Sequence, residues 1–298
     1  MAEHVPVLLK EALEHLRVKK NSRVLDATAD GGGSAESILA SLGPRGKLLL
    51  LDWDPEMAEL LRQKFGKDRR VKILNLNFRD LRKLKEFRPD AIFFDLGLST
   101  LQLNTARPDS RQARLASGRG FSFQKDEPLL MTFHPETRPT AKEFIASAPE
   151  KELARVIWEC GEERFSQRIA RAICERRRKR SIETSKELAE IIAKAVGRGG
   201  RIHPATRTFQ AIRIYINNEL ENLKEGLAGA WEILKPGGGI AAISFHSLED
   251  RIVKNFFRDK FKAREANLIT KKPITPGGEE LRQNPRSRSA KLRVLEKR

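Results

Sequence analysis

Four short apolar segments in the first third of the chain each end in a polar residue. Each segment is uniformly apolar or rich in β-branched residues, as parallel strands buried on both faces are. The segments are Arg23–Leu25 before Asp26, Lys47–Leu51 before Asp52, Val71–Leu76 before Asn77, and Ala91–Phe94 before Asp95. Helical stretches separate them, and this alternation predicts an α/β fold with a parallel sheet. Because open α/β sheets bind ligands at the carboxyl ends of their strands, these polar residues mark the expected binding edge.

Beyond Leu103 the alternation stops and helices follow. Residues 104–120 are polar, basic and contain several helix breakers, which predicts a loop. Helix starts beyond it carry the capping-box pattern, a Ser or Thr followed three residues later by Glu. The pairs are Thr140 with Glu143, Ser147 with Glu150, and Thr184 with Glu187. Phe165, Ile169 and Ile173 then recur at helical spacing.

The α/β pattern resumes with one long predicted helix. Apolar residues keep a 3–4 spacing from Phe209 to Leu234, and the Pro-Gly-Gly sequence at 236–238 ends the helix. Ile240–Phe245 is a predicted fifth strand. Two short β-like runs near the end, at 266–270 and 292–295, predict a closing antiparallel hairpin.

A length of 298 residues is comfortable for two structural units. We predict a Rossmann-like α/β core formed by residues 1–105 and 205–298. Residues 106–204 are predicted to be an inserted all-helical subdomain. The chain shows no internal repeat.

Positive charge dominates the composition. Lys and Arg number 58 against 40 Asp and Glu, a net charge of +18. An excess of this size concerns partners and solubility rather than fold. Nucleic acid is its commonest cause, because each phosphate contact releases counterions from the polymer. A solvated basic surface and an anionic membrane surface are the alternatives.

The two cysteines, Cys160 and Cys174, have neither metal-ligand spacing nor a disulfide pattern. Reduced thiols and no metal site are therefore expected, which suits a cytoplasmic protein. No apolar run is long enough to span a bilayer, and the charged first residues do not resemble a signal peptide. We expect no association with a membrane.

The segment after the first strand, Asp26 to Ser34, contains three consecutive glycines and opens a helix. Glycines there let the backbone approach a ligand and present N–H groups at a helix N-terminus. Asp52, at the end of the second strand, is placed to accept both hydroxyls of a ribose. Asn77 and Phe78 would give an adenine a polar neighbour and an aromatic wall, although Phe78 is equally suited to the core.

The type of nucleoside follows from what the glycine segment lacks. It has no Gly-Lys-Ser/Thr sequence, which excludes a phosphate-binding P-loop, and no strict G-x-G-x-x-G. Asp30 would also face a pyrophosphate unfavourably. S-adenosylmethionine has no phosphate, and its positive charges suit nearby carboxylates such as Asp26 and Asp95. The methyl donor is therefore favoured over a nicotinamide dinucleotide, which remains the alternative cofactor.

Taken together, the sequence resembles the ribosomal RNA cytosine-N4 methyltransferase family, also called RsmH or MraW, nearly from end to end. The matching segments are His4-Val5-Pro6-Val7-Leu8-Leu9, Asp95-Leu96-Gly97-Leu98-Ser99 with Gln102, Arg119-Gly120-Phe121-Ser122-Phe123, Gly161-Glu162-Glu163-Arg164, Thr206-Arg207-Thr208-Phe209-Gln210-Ala211, Leu234-Lys235-Pro236-Gly237-Gly238, Ser244-Phe245-His246-Ser247-Leu248-Glu249-Asp250-Arg251 and Asn284 to Arg293. The resemblance implies a class I methyltransferase fold with an inserted helical domain. It also implies methylation of a cytidine in the decoding centre of the small ribosomal subunit.

The resemblance implies a set of residues that contact S-adenosylmethionine. These are Gly32, Gly33, Ser34, Asp52, Phe78, Asp95 and Gln102. The chain departs from the family in the glycine segment and in one later motif. It has Asp30 for a glycine and Ser34 for a histidine, and Leu130 and Thr132 replace the acidic and basic residues of a Pro-Leu-Asp-Met-Arg-Met motif expected near the target base.

Asp95 is the predicted catalytic residue. The lone pair of a cytosine N4 is delocalised into the ring, so an acceptor for its N–H improves the nucleophile, and Asp95 is placed to orient N4. Donor binding alone is its alternative role. Phe121 and Phe123 are candidates for stacking on an extruded base or for core packing. His246 either reaches the site or caps a helix.

Basic segments supply candidate phosphate contacts. They are the run Arg176-Arg177-Arg178-Lys179-Arg180 and the tail residues Arg286, Arg288, Lys291 and Arg293. Cations at a helix end also complement its dipole, which gives the run a structural alternative. A catalytically weak or inert RNA-binding assembly factor that keeps the fold is the alternative function. The predicted partner is small-subunit ribosomal RNA, and a monomer and a homodimer both remain open.

Overall fold

The computed structural model describes residues 7–98, 118–197 and 202–298. It divides into two compact units. An α/β unit is formed by Met1–Ser99 with Leu220–Arg298, and a helical unit is formed by Thr100–Glu219.

The described residues contain eleven α-helices. They are α1 (Leu9–Leu16), α2 (Gly33–Ser41), α3 (Pro55–Phe65), α4 (Ala141–Ser147), α5 (Glu150–Gly161), α6 (Ser166–Lys179), α7 (Ser185–Val196), α8 (Thr206–Ile216), α9 (Glu219–Ile233), α10 (Ser247–Lys262) and α11 (Gly278–Gln283). Two 3-10 helices span Phe78–Phe87 and Pro285–Ser289.

Seven strands among the described residues form one sheet. They are β1 (Arg23–Asp26), β2 (Lys47–Asp52), β3 (Val71–Asn75), β4 (Ala91–Asp95), β5 (Gly239–Ser244), β6 (Ala266–Leu268) and β7 (Lys291–Lys297). Their order across the sheet is β3-β2-β1-β4-β5-β7-β6. The first five strands run parallel, and β7 is antiparallel to both of its neighbours. The predicted α/β class and the predicted closing hairpin are both confirmed.

Alternate residues of the strands face two separate cores, as the pleat requires. Val24, Leu50 and Phe93 pack on one face with apolar residues of α1, α2 and α3. Leu25 and Phe94 pack on the opposite face with residues of α9, α10 and the first 3-10 helix. Because both faces are covered, the strands are continuous apolar runs rather than alternating ones.

The order of the parallel strands reverses between β1 and β4. Chain order runs outward from β1 to β2 and β3 on one side, and from β4 to β5 on the other. Such a reversal leaves a crevice at the carboxyl ends of the two central strands, where α/β sheets bind ligands. The last residues of these strands are Asp26 and Asp95.

The helical unit confirms two of the three predicted capping boxes. Thr140 caps α4 with Glu143, and Thr184 caps α7 with Glu187. The prediction for Ser147 is wrong: this residue ends α4, and α5 begins after Pro149. Ser147 donates its hydroxyl to the Glu143 carbonyl one turn earlier instead.

The long helix predicted between Phe209 and Leu234 is also wrong, because the structure has two helices there. α8 ends at Ile216, and Asn218 has a left-handed φ of 52° before α9 begins at Glu219. The side chain of Asn217 is buried and explains the break. Its Nδ2 donates to the carbonyl of Met131 at 2.7 Å, and its Oδ1 accepts from the backbone N–H of Phe133 at 2.8 Å. α8 packs against α5 and so belongs to the helical unit.

No helix in the described part of the chain is long and apolar enough to cross a membrane. The same residues contain no group of three or more His, Cys, Asp or Glu side chains that would hold a metal ion.

Candidate functional site

The segment that follows β1 continues between the two strands that flank it. Ala27 donates its N–H to the carbonyl of Phe93 in β4, and Ala29 donates to the carbonyl of Leu51 in β2, both at 2.9 Å. The chain therefore stays in the crevice at the carboxyl edge of the sheet. This fixes the position of the predicted donor-binding glycines.

Gly32 and Gly33 form the start of α2. Gly32 has a φ of 84°, and a Cβ at this position would lie 2.5 Å from a ring carbon of Phe65. No side chain fits there, which explains the glycine physically. Gly33 is the first residue of the nine-residue helix α2. The N–H groups of this first turn are available to a ligand in the crevice.

Asp26 ends β1 with its carboxylate fully buried and its orientation fixed by two donors. Its Oδ2 accepts from the Ser34 hydroxyl at 2.5 Å, and its Oδ1 accepts from the backbone N–H of Thr28 at 3.1 Å. Burial raises the pKa of Asp26 to about 6, against the lowering effect of these hydrogen bonds. The charge of Asp30 adds to the increase in pKa.

Asp52 ends β2 and is held by two backbone donors. Its Oδ2 accepts from the N–H of Asp30 at 2.9 Å, and its Oδ1 accepts from the N–H of Asp54 at 2.8 Å. Each oxygen keeps a lone pair, so the carboxylate is oriented without being saturated. Burial, with the charges of Asp30 and Asp54, raises the pKa of Asp52 well above its usual range.

Asp95 ends β4 beside the same crevice. Its backbone N–H donates to the Thr28 hydroxyl at 2.6 Å, while its Oδ1 is buried and has no hydrogen-bond partner among the described residues. Burial raises the pKa of Asp95 well above its usual range, and the charges of Asp26, Asp30 and Glu249 act in the same direction. A buried acceptor atom without a partner is costly, and it marks a place where a ligand donor would bind.

Asp30 occupies a backbone conformation that favours glycine. Its φ is 47°, a left-handed value that Asp tolerates better than most residues. Its charge contributes to the raised pKa values of Asp26, Asp52 and Asp95. Asp30, at a position where the family resemblance implies a glycine, therefore adds negative charge to this site and makes its neighbours harder to ionise.

Phe78 packs against the core of the α/β unit. Its ring meets Phe94 edge-on at 5.8 Å, and a Cβ on Gly226 of α9 would lie 2.6 Å from it. These contacts leave the side chain half-buried, so the predicted contact of Phe78 with an adenine stays a prediction. Asn77 accepts from the N–H of Arg79 and so caps the 3-10 helix that Phe78 begins. The predicted contact Gln102 lies outside the described residues.

Sequence reasoning missed Thr28 and Glu249. Thr28 joins two strands, since it bonds Asp26 through its N–H and Asp95 through its hydroxyl. Glu249 accepts from the N–H groups of Phe245 and His246 in a capping box on α10. The His-x-x-Glu spacing was the sequence sign of this box. His246 is thus the helix cap, the alternative considered for it.

Three of the residues predicted to contact RNA are packed or paired inside the protein. Phe121 is buried and stacks on Phe133 at 5.3 Å, so packing is its role. Arg293 is buried in β7 and bonds Asp250 through two nitrogens, at 2.7 and 3.3 Å. Lys291 pairs with the same carboxylate at 3.2 Å. The expectation that Arg293 contacts phosphate is therefore wrong, because its charge is used inside the protein.

The basic run at the end of α6 is also partly used internally. Arg177 donates to the carbonyl of Ile145, and Arg176 and Arg180 lie 4.0 and 3.6 Å from Glu187. Arg178 and Lys179 are exposed and form no ion pair with any described residue. These two cations remain candidates for phosphate contacts, as does the exposed Arg288, whereas the side chain of Arg286 lies outside the described set.

Buried carboxylates concentrated in a chain of charge +18 favour a ligand with positive charge and hydrogen-bond donors. A sulfonium, an ammonium and two ribose hydroxyls meet this requirement. The glycine turn supplies space and N–H donors at the same edge. The residues present therefore fit S-adenosylmethionine, and they would oppose a pyrophosphate.

The comparisons with known proteins agree with this geometry. Residues 1–298 match the family model described as the MraW methylase family. Two relatives named ribosomal RNA small subunit methyltransferase H, from Stenotrophomonas maltophilia (strain K279a) and Persephonella marina, are 46% and 44% identical to this chain. These matches cover 100% of this chain and 94% and 100% of the two relatives.

Among solved structures, Aeropyrum pernix fibrillarin in complex with natively bound S-adenosyl-L-methionine aligns over 99% of this chain and 75% of that chain. Its TM-score is 0.42 and its sequence identity is 12%. The whole-length family match and the two relatives settle the membership, and the chain belongs to the MraW methylase family.

Proposed function

We propose that this protein transfers a methyl group from S-adenosylmethionine to the exocyclic N4 of a cytidine in the decoding region of small-subunit ribosomal RNA. It is a methyltransferase by family, and the named activity of its relatives supports ribosomal RNA as the substrate. The observation that carries the chemistry is the meeting of Asp26, Asp52 and Asp95 at one edge of the sheet.

S-adenosylmethionine, when bound, supplies a methyl group made electrophilic by its sulfonium. Asp52 accepts hydrogen bonds from the ribose through the lone pairs left free by its two backbone donors. Gly32 keeps the start of α2 open to the ligand, and Gly33 and Ser34 form its first turn. Asp26 would supply negative charge at the same edge of the sheet, which suits a cationic donor.

Asp95 orients the target amine. Its Oδ1 is the buried acceptor that lacks a partner among the described residues, and it accepts one N–H of N4. This bond turns the nitrogen lone pair toward the methyl group and stabilises the positive charge that develops on nitrogen as the N–C bond forms and the C–S bond breaks. S-adenosylhomocysteine would be the leaving group, and the Asp95 carboxylate would take the extra N4 proton. A positive charge beside Asp95 lowers its pKa and so keeps the acceptor ionised.

The RNA is recognised by the excess of positive charge. Arg178, Lys179 and Arg288 are exposed cations free of internal ion pairs among the described residues. Phosphate contacts of this kind give affinity and positioning, while the methylated base is selected at the site. A substrate of this kind supports a cytoplasmic location, where ribosomes are found.

The test is a comparison of small-subunit RNA from cells with and without the protein. Digestion to nucleosides followed by mass spectrometry should show one N4-methylated cytidine only where the protein is present. Single-turnover transfer to purified small subunits should restore it. A nucleoside profile that is identical in both strains contradicts the proposal.

A second function, an assembly factor that binds RNA without methylating it, is favoured by one observation. Leu130 and Thr132 replace charged residues of the family motif, and Thr132 is buried, so this segment has no ionised side chain to offer a base. A wild-type protein that binds donor and RNA but transfers no methyl group would establish this alternative.

A further inference from the structure

Three aromatic rings of the helical unit form a ladder that ends at the surface. Phe209 of α8 is buried, and Phe123 meets its ring edge-on at 5.3 Å. His203 stacks on Phe123 at 4.4 Å, with only 21° between the ring planes. His203 is exposed, although one of its faces is covered by Phe123. Its exposed area is therefore the opposite face and the ring edge.

The ladder holds the imidazole in one orientation. The Nδ1 of His203 accepts from the backbone N–H of Ala205 at 3.2 Å, just before α8 begins. With Nδ1 acting as acceptor, the neutral ring carries its proton on Nε2. The outer edge of the ring thus presents a donor beside a flat aromatic face. Ile202, which is 54% exposed, adds apolar surface next to it.

An exposed flat ring with a donor at its edge matches the surface of an unpaired nucleobase. Bases stack on aromatic rings in single-stranded RNA recognition, and this stacking tolerates any sequence. The net charge of +18 makes a polyanion the partner that this surface would meet. A protein partner would be expected to cover Ile202 with apolar groups and to leave the Nε2–H unsatisfied.

We propose that His203, backed by Phe123, is a stacking platform for an unpaired base of the RNA substrate. This inference rests on the proposed function, since it takes RNA as the substrate. It assigns to His203 a role in holding a neighbouring nucleotide rather than in methyl transfer. Phe123 is a positioning residue, because its ring stacks on one face of the imidazole and holds it in place.

The experiment measures the binding of a single-stranded RNA oligonucleotide that carries 2-aminopurine, whose fluorescence is quenched by stacking. His203→Ala should weaken binding about 10-fold and reduce the quenching, consistent with the loss of one base–aromatic stack. His203→Phe keeps the flat ring and should bind within about two-fold of wild type. The slope of affinity against salt should stay unchanged in both variants, because no phosphate contact is removed.

Trp158→Ala is the matched control, since Trp158 is an aromatic residue of the same unit that is 58% exposed but has no ring stacked on it in the described residues. Its affinity and quenching should equal those of wild type. Wild-type RNA binding together with an unaltered His203→Ala variant overturns the platform and leaves the proposed function intact. A wild-type protein that does not bind RNA overturns both. S-adenosylmethionine binding, which no variant should alter, shows that the proteins are folded.

Discussion

The Ser34 hydroxyl donates to the Oδ2 of Asp26 at 2.5 Å, across the turn that joins β1 to α2. Both side chains are buried. The hydroxyl lowers the pKa of Asp26, but burial outweighs it and the pKa remains raised. Ionisation of the Asp26 carboxyl group therefore lowers the free energy of unfolding.

Asp26→Asn should stabilise the ligand-free protein at neutral pH. The pKa of Asp26 rises from 3.8 in the unfolded chain to about 6 in the folded protein. The folded state thus binds this proton more tightly, so the contribution of Asp26 to stability is greatest below pH 3.8 and falls as the pH rises to about 6. The loss is about 3 kcal/mol for about two pKa units. Urea unfolding of both proteins between pH 4 and 8 should show a difference in the free energy of unfolding that grows up to about pH 6 and is constant above it.

Ser34→Ala provides the companion measurement. Removal of the donor raises the pKa of Asp26 further, so the decline in stability should extend to higher pH than in wild type. Stability curves of equal shape for the two proteins would show that the hydroxyl does not influence this carboxyl group.

Asp52→Ala should weaken S-adenosylmethionine binding by about 1.5–3 kcal/mol, the range for hydrogen bonds to a charged group. The carboxylate is oriented by two backbone donors, and its loss removes the acceptors for the ribose. Isothermal titration calorimetry measures the change. Glu59→Gln on the exposed face of α3 is the control. A folded Asp52→Ala protein with wild-type affinity contradicts the ribose contact.

Asp95→Asn should reduce the rate of methyl transfer by a factor of about 10²–10³, as expected for loss of a preorganised catalytic group. The amide keeps the shape but lacks the charge that stabilises the transition state. Single-turnover transfer to small subunits with saturating donor measures it, alongside RNA affinity, which should change less. Equal rates in the two proteins would remove Asp95 from the chemistry.

Asn217→Ala should destabilise the helical unit by about 2–4 kcal/mol, because two backbone groups lose buried partners. These are the carbonyl of Met131, a residue with a left-handed φ of 54°, and the N–H of Phe133. Thermal unfolding followed by circular dichroism measures the loss. Asn218→Gly is the control, since glycine accepts the left-handed backbone of that position without strain. An unchanged unfolding temperature for Asn217→Ala would mean that these two hydrogen bonds contribute nothing to stability.

Arg178→Ala with Lys179→Ala should weaken RNA binding and reduce the slope of affinity against salt by about 1–2. Both cations are exposed and free of ion pairs among the described residues. Arg293→Ala should instead destabilise the protein by about 3–5 kcal/mol, because the buried charge of Asp250 loses its main partner. The salt dependence of RNA binding and urea unfolding, measured on each variant, separate the two roles. A double variant with the wild-type slope would place the phosphate contacts elsewhere.

The binding edge was predictable because buried parallel strands are apolar and end abruptly. Asp26, Asp52 and Asp95 follow their strands directly, and the structure places all three at the carboxyl edge. The hydrogen bonds that orient these residues, from Thr28, Ser34 and the backbone of Asp30 and Asp54, were not predictable, since they depend on turn geometry. Thr28 reaches Asp95 only because the chain after β1 stays between β2 and β4.

The break between α8 and α9 escaped prediction for a physical reason. The apolar 3–4 spacing continues through Asn217 and Asn218, and neither residue is a strong helix breaker. The break depends on partners at Met131 and Phe133, which are distant in sequence. Arg293 was misassigned for the same reason, because its partner Asp250 lies on a different element.

The insertion of the helical unit between β4 and β5 has a consequence for how the chain folds. Ile92 pairs with Ile240 at the centre of the sheet, so this pairing has to wait until the whole helical unit has been synthesised. The helical unit is one continuous stretch of the chain, so its contacts do not depend on residues beyond it, and it is expected to form earlier. Until then β4 is an open strand edge, the kind that pairs with other chains. Pulse-labelling hydrogen exchange during refolding should protect amides of α5 and α6 before those of β5, and the protein should be most prone to aggregate in that interval.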